Sequence, residues 1–282
     1  MKWRNPRRSG NIEDRRGRVP MKAVGGGIGG IIILVIALLL GGDPGAILDN
    51  SPTAGINPSG VDQTSLSEEE RELADFVSIV LADTEDTWNP IFAASDLDYR
   101  EPTLVLFTGA VESGCGFAQS AVGPFYCPLD EKLYIDLSFY RDLKDNFGAP
   151  GDFAQAYVIA HEVGHHVQNQ LGILEEVQRA QQGTGQVEAN SLSVMLELQA
   201  DCLSGVWAYN AEQARDVLEE GDIEEGLNAA SAIGDDRLQM ETQGRVAPDS
   251  FTHGTSAQRV DWFRTGFESG DFNSCDTFSV MG

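Results

Sequence analysis

A single uninterrupted apolar stretch stands out against the mixed pattern of the rest of the chain. Residues 23–42, AVGGGIGGIIILVIALLLGG, carry no charge and would extend about 30 Å as a helix, which matches the hydrocarbon core of a bilayer. We predict a transmembrane helix over residues 23–42. The alternative is a cleaved signal peptide, since glycines confine the strongly apolar part to residues 31–40, but no A-x-A cleavage pattern follows it.

The next segment, residues 43–66, is rich in Gly, Pro, Ser, Asp and Asn and lacks apolar periodicity, which predicts a flexible linker. A helix then begins after Ser67, which fits a capping box with Glu70 ahead of an apolar stripe. The runs TLVLFTGAV, residues 103–111, and KLYIDLSF, residues 132–139, predict strands.

From Gly151 onward, apolar residues recur mostly at helical spacing. One helix begins at the PGDF sequence there, a second covers roughly residues 188–209, and a third lies around residues 211–219. The last begins at Thr255, which fits another capping box with the glutamine three residues later. The elements predict an α+β fold, mostly helical with a small sheet, in one domain over residues 67–282.

Charge is distributed unevenly along the chain. The net charge is −25, yet residues 1–22 contain eight of the 19 Lys and Arg residues. Because basic residues flank a membrane span on its cytoplasmic side, we predict that residues 1–22 form a cytoplasmic tail. The domain would then lie outside the cytoplasm, in the periplasm or the extracellular medium. Its acidity argues against nucleic-acid binding, and no protein partner is indicated.

All four cysteines follow the apolar stretch. An even number on the exported side predicts two disulfides, and three pairings are open. The short spacing of Cys115 and Cys127 favours that pair, which leaves Cys202 with Cys275. Zinc coordination by these cysteines is less favoured, because the chain has no C-x-x-C spacing.

Three of the four histidines fall in VIAHEVGHHVQNQ, residues 158–170. His161 and His165 form an H-E-x-x-H motif, whose i, i+4 spacing places both imidazoles on one helix face, where they can share a zinc ion. Glu162 is then placed to act as general base on a zinc-activated water. His166 points elsewhere and is expected to be solvated or to support the site from outside. The alternative to a zinc site is a structural role, in which the two histidines simply lie on a polar helix face.

The predicted third zinc ligand lies in MLELQADCLSG. Glu197 and Asp201 are at i and i+4 of a largely apolar helix, so both face one way. Glu197 would bind zinc, and Asp201 would accept a hydrogen bond from the second ring nitrogen of a ligating histidine. The alternative is a pair of exposed acids in an acidic protein. Glu188 is a poorer candidate, because no second acid lies at helical spacing from it.

H-E-x-x-H followed some thirty residues later by E-x-x-x-D resembles the gluzincin metallopeptidases. More closely, GPFYCPLDEKLYIDLSF, VIAHEVGHHVQ, ELQADCLSGVWA and PDSFTHGTSAQR together resemble the bacterial putative neutral zinc metallopeptidase family. The resemblance covers most of residues 68–280. It implies a zincin-like, membrane-anchored enzyme with zinc held by His161, His165 and Glu197, and with Glu162 as catalyst.

The predicted function is hydrolysis of peptide bonds in a peptide or protein substrate, with one Zn²⁺ per chain. His253, and less strongly Tyr209, are candidates to stabilise the oxyanion. The strand in residues 132–139 is a candidate edge for pairing with substrate, or else an interior strand. Two other functions are open: a zinc amidase or esterase acting on non-peptide bonds, and a binding or assembly factor with structural zinc.

Overall fold

The computed structural model describes residues 1–3, 7–17 and 66–279. The predicted transmembrane helix, residues 23–42, lies outside the described residues, as does nearly all of the predicted linker, residues 43–66. Among the residues that are described, none of the helices combines the length and the apolar character that a membrane crossing needs.

The described part of the chain is mostly helical, with a small sheet, so the predicted α+β class is confirmed. The strands are β1 (Ile12–Asp14), β2 (Thr103–Phe107), β3 (Ala110–Ser113), β4 (Gly116–Gln119), β5 (Phe125–Cys127) and β6 (Lys132–Asp136). The helices are α1 (Glu68–Ala94), α2 (Phe139–Asp145), α3 (Asp152–Gln170), α4 (Ile173–Gln181), α5 (Gln186–Arg215), α6 (Asp222–Ala232), α7 (Asp235–Gln243) and α8 (Ser256–Ser269).

The main sheet has the strand order β1-β2-β6-β5. Strands β1, β2 and β6 run parallel, and β5 is antiparallel to β6, while β3 and β4 form a separate hairpin. The run at residues 132–139 is therefore an interior strand over β6. Leu133 pairs with Leu104 on one side and with Tyr126 on the other, so the candidate role of this strand as a substrate-binding edge is wrong.

Two predicted helix starts agree with the structure in detail. Ser67 caps α1 and Thr255 caps α8, each with the reciprocal hydrogen bonds of a capping box. The predicted third helix is not a separate element, because α5 continues without a break to Arg215 and ends at Asp216, whose φ is 52°. No proline interrupts this region, and the buried Ala211 extends the apolar face.

Helices α3, α5 and α8 pack closely enough for backbones to touch. A Cβ on Gly164 of α3 would lie 3.0 Å from the carbonyl oxygen of Ala200 on α5. A Cβ on Gly266 of α8 would lie 1.9 Å from the carbonyl oxygen of Cys202. Because both residues are glycines without a side chain, α5 can pack closely between α3 and α8.

The cysteines form the two predicted pairs. Cys115–Cys127 joins the β3–β4 hairpin to the end of β5. Cys202–Cys275, whose partners are 73 positions apart in the sequence, joins α5 to the 3₁₀ turn after α8. The second bond therefore fastens the C-terminal region to the helix that carries Glu197.

Residues 1–3 and 7–17, which belong to the predicted cytoplasmic tail, pack against the domain. Residues 12–14 form β1, an edge strand of the main sheet, and Trp3 stacks edge-on against Phe76 of α1. The sequence gives no local sign of this packing, because the acidic partners of Lys2, Arg7 and Arg8 lie more than 60 positions away along the chain.

Candidate metal centre

The H-E-x-x-H motif lies in the middle of α3, facing α5. The rings of His161 and His165 meet nearly at right angles, with centroids 4.9 Å apart. The apolar stripe beside them is buried, as Phe153, Val163 and Val167 have no exposed surface. This packing holds the histidine face of the helix against α5.

Glu197 of α5 completes a group of three ligand-bearing side chains. Its Oε2 lies 3.2 Å from Nε2 of His161, and its Oε1 lies 3.5 Å from Nε2 of His165. One donor atom from each of the three residues lies within 4.8 Å of the others. The structure therefore brings together the residues that the sequence predicts as zinc ligands.

The outer ring nitrogens of both histidines contact acceptors. Nδ1 of His161 lies 2.9 Å from Oδ1 of Asp201, and Nδ1 of His165 lies 2.8 Å from Oε1 of Gln168. The amide nitrogen of Gln168 donates to the carbonyl oxygen of Leu196, which fixes its oxygen towards His165. Both imidazoles are thus assigned as Nδ1–H tautomers, with the lone pair of each Nε2 directed inward.

The Nε2 lone pairs of His161 and His165 therefore face the carboxylate oxygens of Glu197. All of these atoms are hydrogen-bond acceptors, so they repel one another. A cation between these atoms relieves that repulsion, and two imidazole nitrogens with one carboxylate oxygen are a ligand set that zinc prefers. Without a metal, His161 would carry a proton instead: burial lowers its pKa, but Asp201 and Glu197 raise it to about 10. The residues fit zinc, which on binding would displace that proton.

Asp201 has no exposed surface and is the centre of a buried hydrogen-bond network. Besides His161, it accepts hydrogen bonds from Arg259 Nε at 2.8 Å, Arg259 Nη2 at 2.9 Å and the Tyr157 hydroxyl at 2.5 Å. Burial raises the pKa of Asp201, but Arg259 and His161 hold it below its usual value. An ionised Asp201 keeps the His161 ring oriented.

The sequence analysis missed Arg259 and Tyr157, although both carried a signal. Arg259 lies four residues before Phe263 on the buried face of α8, where an arginine needs an acid partner. Tyr157 lies four residues before His161 in the apolar stripe of α3, so its hydroxyl needed a partner near the motif.

Glu162 lies beside the histidine pair and is 8% exposed. The backbone of Tyr126 in β5 lies near this carboxylate and favours its ionised form. Burial raises the pKa of Glu162, with His165 and His161 acting in the opposite direction. A carboxyl group with a raised pKa exchanges protons near neutral pH more readily than an ordinary glutamate.

His253 lies in a turn held by the buried carboxylate of Asp235. The backbone N–H groups of Thr252, His253 and Gly254 all donate to Oδ2 of Asp235, and Nδ1 of His253 lies 3.3 Å from Oδ1. Burial lowers the pKa of His253, but Glu197 and Asp235 raise it. His253 therefore lies close enough to Glu197 for the two side chains to interact electrostatically.

The position of this turn depends on a close contact with α5. A Cβ on Gly254 would lie 3.2 Å from both Val194 and Leu198, one turn before and one residue after Glu197. Gly254 also has a φ of 87°, which strains other residues. The backbone beside His253 thus lies directly against the helix that carries Glu197.

Two other candidates lie away from the centre. His166 is fully buried, between the Tyr126 hydroxyl at 3.0 Å and the carbonyl oxygen of Arg100 at 2.5 Å, so the expectation of a solvated residue is wrong. Tyr209 lies twelve residues beyond Glu197 on α5, about 18 Å along the helix, and packs against Gly270. Its candidate role as an oxyanion donor is therefore wrong.

The fold and the site define an α+β protein with a histidine–carboxylate centre of the H-E-x-x-H and E-x-x-x-D type. A family model described as "Putative neutral zinc metallopeptidase" matches residues 1–278, so the chain belongs to this family, as the motifs indicate. The family name implies zinc.

Curated relatives cover nearly the whole chain. The protein is 52% identical over 285 residues to "Uncharacterized protein YpfJ" of Escherichia coli strain K12, with 99% of each chain covered. It is 42% identical over 259 residues to "Uncharacterized protein Rv2575" of Mycobacterium tuberculosis strain H37Rv, covering 86% of this chain and 85% of the relative. No solved structure matches.

Proposed function

We propose that this protein is a zinc-dependent peptidase that binds one Zn²⁺ per chain through His161, His165 and Glu197. The observation that carries the proposal is the convergence of two Nε2 lone pairs and a carboxylate, with a buried Glu162 beside them. Bound zinc would supply a Lewis acid that polarises the scissile carbonyl and lowers the pKa of the attacking water.

Glu162 acts as general base: its carboxylate takes the proton of the attacking water and later passes it to the leaving amine. The backbone of Tyr126 lies beside this carboxylate and favours its ionised form. His253 donates a hydrogen bond to the developing oxyanion. Because Asp235 occupies Nδ1 of His253, Nε2 is the nitrogen that reaches the substrate.

An open coordination position supports catalysis over structural zinc. Within residues 1–3, 7–17 and 66–279, no fourth His, Cys, Asp or Glu side chain joins the three-residue group. Structural zinc sites have four protein ligands, whereas catalytic sites keep one position for water or substrate. The binding-factor alternative therefore has less support than an enzyme.

The strand that we propose for substrate pairing is β5. It is the edge strand at the β6 side of the main sheet, and the backbone of its Tyr126 lies near Glu162. An extended peptide lying along β5 would pass beside the general base, as strand addition to a sheet edge allows. We also propose that the domain works outside the cytoplasm, because two disulfides are favoured in an oxidising compartment.

Cleavage of an unfolded protein tests the proposal. The purified full-length protein loaded with zinc should cut a casein-type substrate, lose this activity on chelation and regain it when zinc is restored. Matched amide and ester substrates separate the peptidase from the amidase and esterase alternatives. Turnover of an ester but of no peptide, with zinc bound, would reject peptide hydrolysis.

A further inference from the structure

Residues 1–3 and 7–17, here called the N-terminal strap, occupy a surface built from several elements of the domain. The backbone of residues 12–14 pairs in parallel with Leu104–Leu106 of β2. Further backbone hydrogen bonds run from Ser9 to Ser78 of α1 and from Lys2 to Val217, between α5 and α6. The strap thus spans the domain from the sheet edge to the end of the helix that carries Glu197.

Glu85 of α1 has no exposed surface, and its carboxylate finds its partners in the strap. Its carboxylate accepts hydrogen bonds from the Ser9 hydroxyl at 2.5 Å and the Asn11 side chain at 2.9 Å, and it forms an ion pair with Arg7 at 2.8 Å. All three partners belong to the strap. Removing the strap would take all three of these partners from Glu85 at once.

A second acidic group is satisfied in the same way. The ammonium group of Met1 lies 2.9 Å from Asp152, 3.0 Å from Glu219 and 3.1 Å from Asp222. The indole of Trp3 also donates to Asp152, the first residue of α3. The strap therefore neutralises carboxylates at the start of the helix that carries the H-E-x-x-H motif.

Four of the basic residues that suggested a cytoplasmic tail contact the domain and dock the strap: Lys2, Arg7, Arg8 and Arg16. Lys2, Arg7 and Arg8 form ion pairs with acids of the domain, Arg8 through both oxygens of Asp75 at 2.5 and 2.6 Å. Arg16 donates to the backbone oxygen of Glu70 at the start of α1. These four side chains therefore have a structural role in the fold.

We infer that the N-terminal strap is a permanent part of the metallopeptidase domain, so that the N-terminal residues and the metal centre lie on the same side of any membrane. Arg16 of the strap and Glu70 at the start of α1 are in contact, so the residues before and after the segment 18–65 are held at neighbouring points. A single crossing by residues 23–42 would separate these points by the thickness of a bilayer, about 30 Å. Docking and the predicted single-pass topology therefore exclude each other.

Thiol labelling of the full chain tests whether the strap and the rest of the domain lie on the same side of the membrane. Gly10 of the strap and Ala93 of α1 are exposed, and the space around a Gly10 Cβ is open. The four native cysteines are paired in disulfides, so the wild-type chain is the blank. In separate variants, Gly10→Cys and Ala93→Cys should both react with a membrane-impermeant maleimide in spheroplasts, or both react only after permeabilisation. Labelling of one position with protection of the other would overturn the inference.

Exchanging the charges of one ion pair, Arg8 and Asp75, tests whether the strap docks on the domain. Arg8 and Asp75 are 51% and 38% exposed, so substitutions at these positions are tolerated sterically. Arg8→Asp and Asp75→Arg should each lower the melting temperature of the full-length protein by about 2–4 °C. The double variant should recover at least half of the summed loss, because the pair is restored with reversed sign. Strictly additive losses would mean that the two residues do not touch. Neither experiment depends on peptidase activity.

Discussion

Arg259→Met should damage the metal centre without touching a zinc ligand. The substitution keeps the length and apolar stem of the side chain but removes the guanidinium that binds Asp201 through two hydrogen bonds and reaches the Tyr157 hydroxyl at 3.2 Å. Both Arg259 and Asp201 are essentially unexposed, at 2% and 0% of the side chain. The variant would leave a buried carboxylate with His161 and Tyr157 as its only partners within this network.

Removing one partner of a buried ion pair costs about 3–5 kcal/mol, because the other charge stays buried. The same change raises the pKa of Asp201 and weakens its hold on Nδ1 of His161. Loss of such an outer contact typically lowers zinc affinity about 10- to 100-fold. We therefore expect Arg259→Met to lower the free energy of unfolding of the zinc-free protein by about 3–5 kcal/mol. It should also weaken zinc binding about 10- to 100-fold.

Urea unfolding in chelator and zinc competition against a calibrated dye measure the two effects. Arg264→Met on the same helix is the matched control, because Arg264 is half-exposed and its acid partner lies 3.9 Å away. Adding Asp201→Asn to Arg259→Met should give less than the sum of the single losses, since the amide does not need a cation. A loss below about 1 kcal/mol in Arg259→Met, or unchanged zinc affinity, would refute the reasoning.

Three further predictions concern other parts of the structure. His253→Ala should lower kcat about 100- to 1,000-fold at full zinc content, since it removes one oxyanion donor; a loss confined to KM in steady-state assays would reassign it to substrate binding. Burial lowers the pKa of His166 to about 4, below its unfolded value near 6.5. The folded protein should therefore lose about 3 kcal/mol of stability as the pH falls from 6.5 towards 4, because only the unfolded chain takes up the proton in this range. Urea unfolding of wild type and His166→Gln across this range should differ in slope, and parallel curves would contradict a buried neutral imidazole. Replacing the Cys202–Cys275 bond by two alanines should cost about 4 kcal/mol by loop entropy, against about 3 kcal/mol for Cys115–Cys127; the reverse order in thermal melts would show that loop length does not set their effects.

The parts of the site that the sequence predicts depend on local spacing. His161 and His165 share a face because they lie four residues apart on one helix, and Glu197 and Asp201 do so for the same reason. Capping boxes likewise located the starts of α1 and α8, because the hydrogen bonds involved join residues three positions apart. Local geometry of this kind can be worked out without knowing which helices pack together.

The parts that the sequence could not reveal depend on pairings between distant residues. Arg259 reaches Asp201 across 58 residues, and Glu85 meets Ser9 across 76. The strand at residues 132–139 was ambiguous for a related reason: the alternation of Leu133, Ile135 and Leu137 is the same for an edge and an interior strand. Only the pairing of both its edges, with β2 and β5, decides between them.

Comparing wild type with Glu162→Gln in the full-length, zinc-loaded protein tests the central claim most directly. Glu176→Gln, an exposed glutamate on α4, is the control for the loss of one carboxylate. We predict one zinc per chain in all three proteins, cleavage of casein by wild type and Glu176→Gln, and a rate at least 1,000-fold lower in Glu162→Gln, because an amide cannot accept the proton of the attacking water. Zinc-dependent cleavage by Glu162→Gln at a rate near that of wild type would contradict the account.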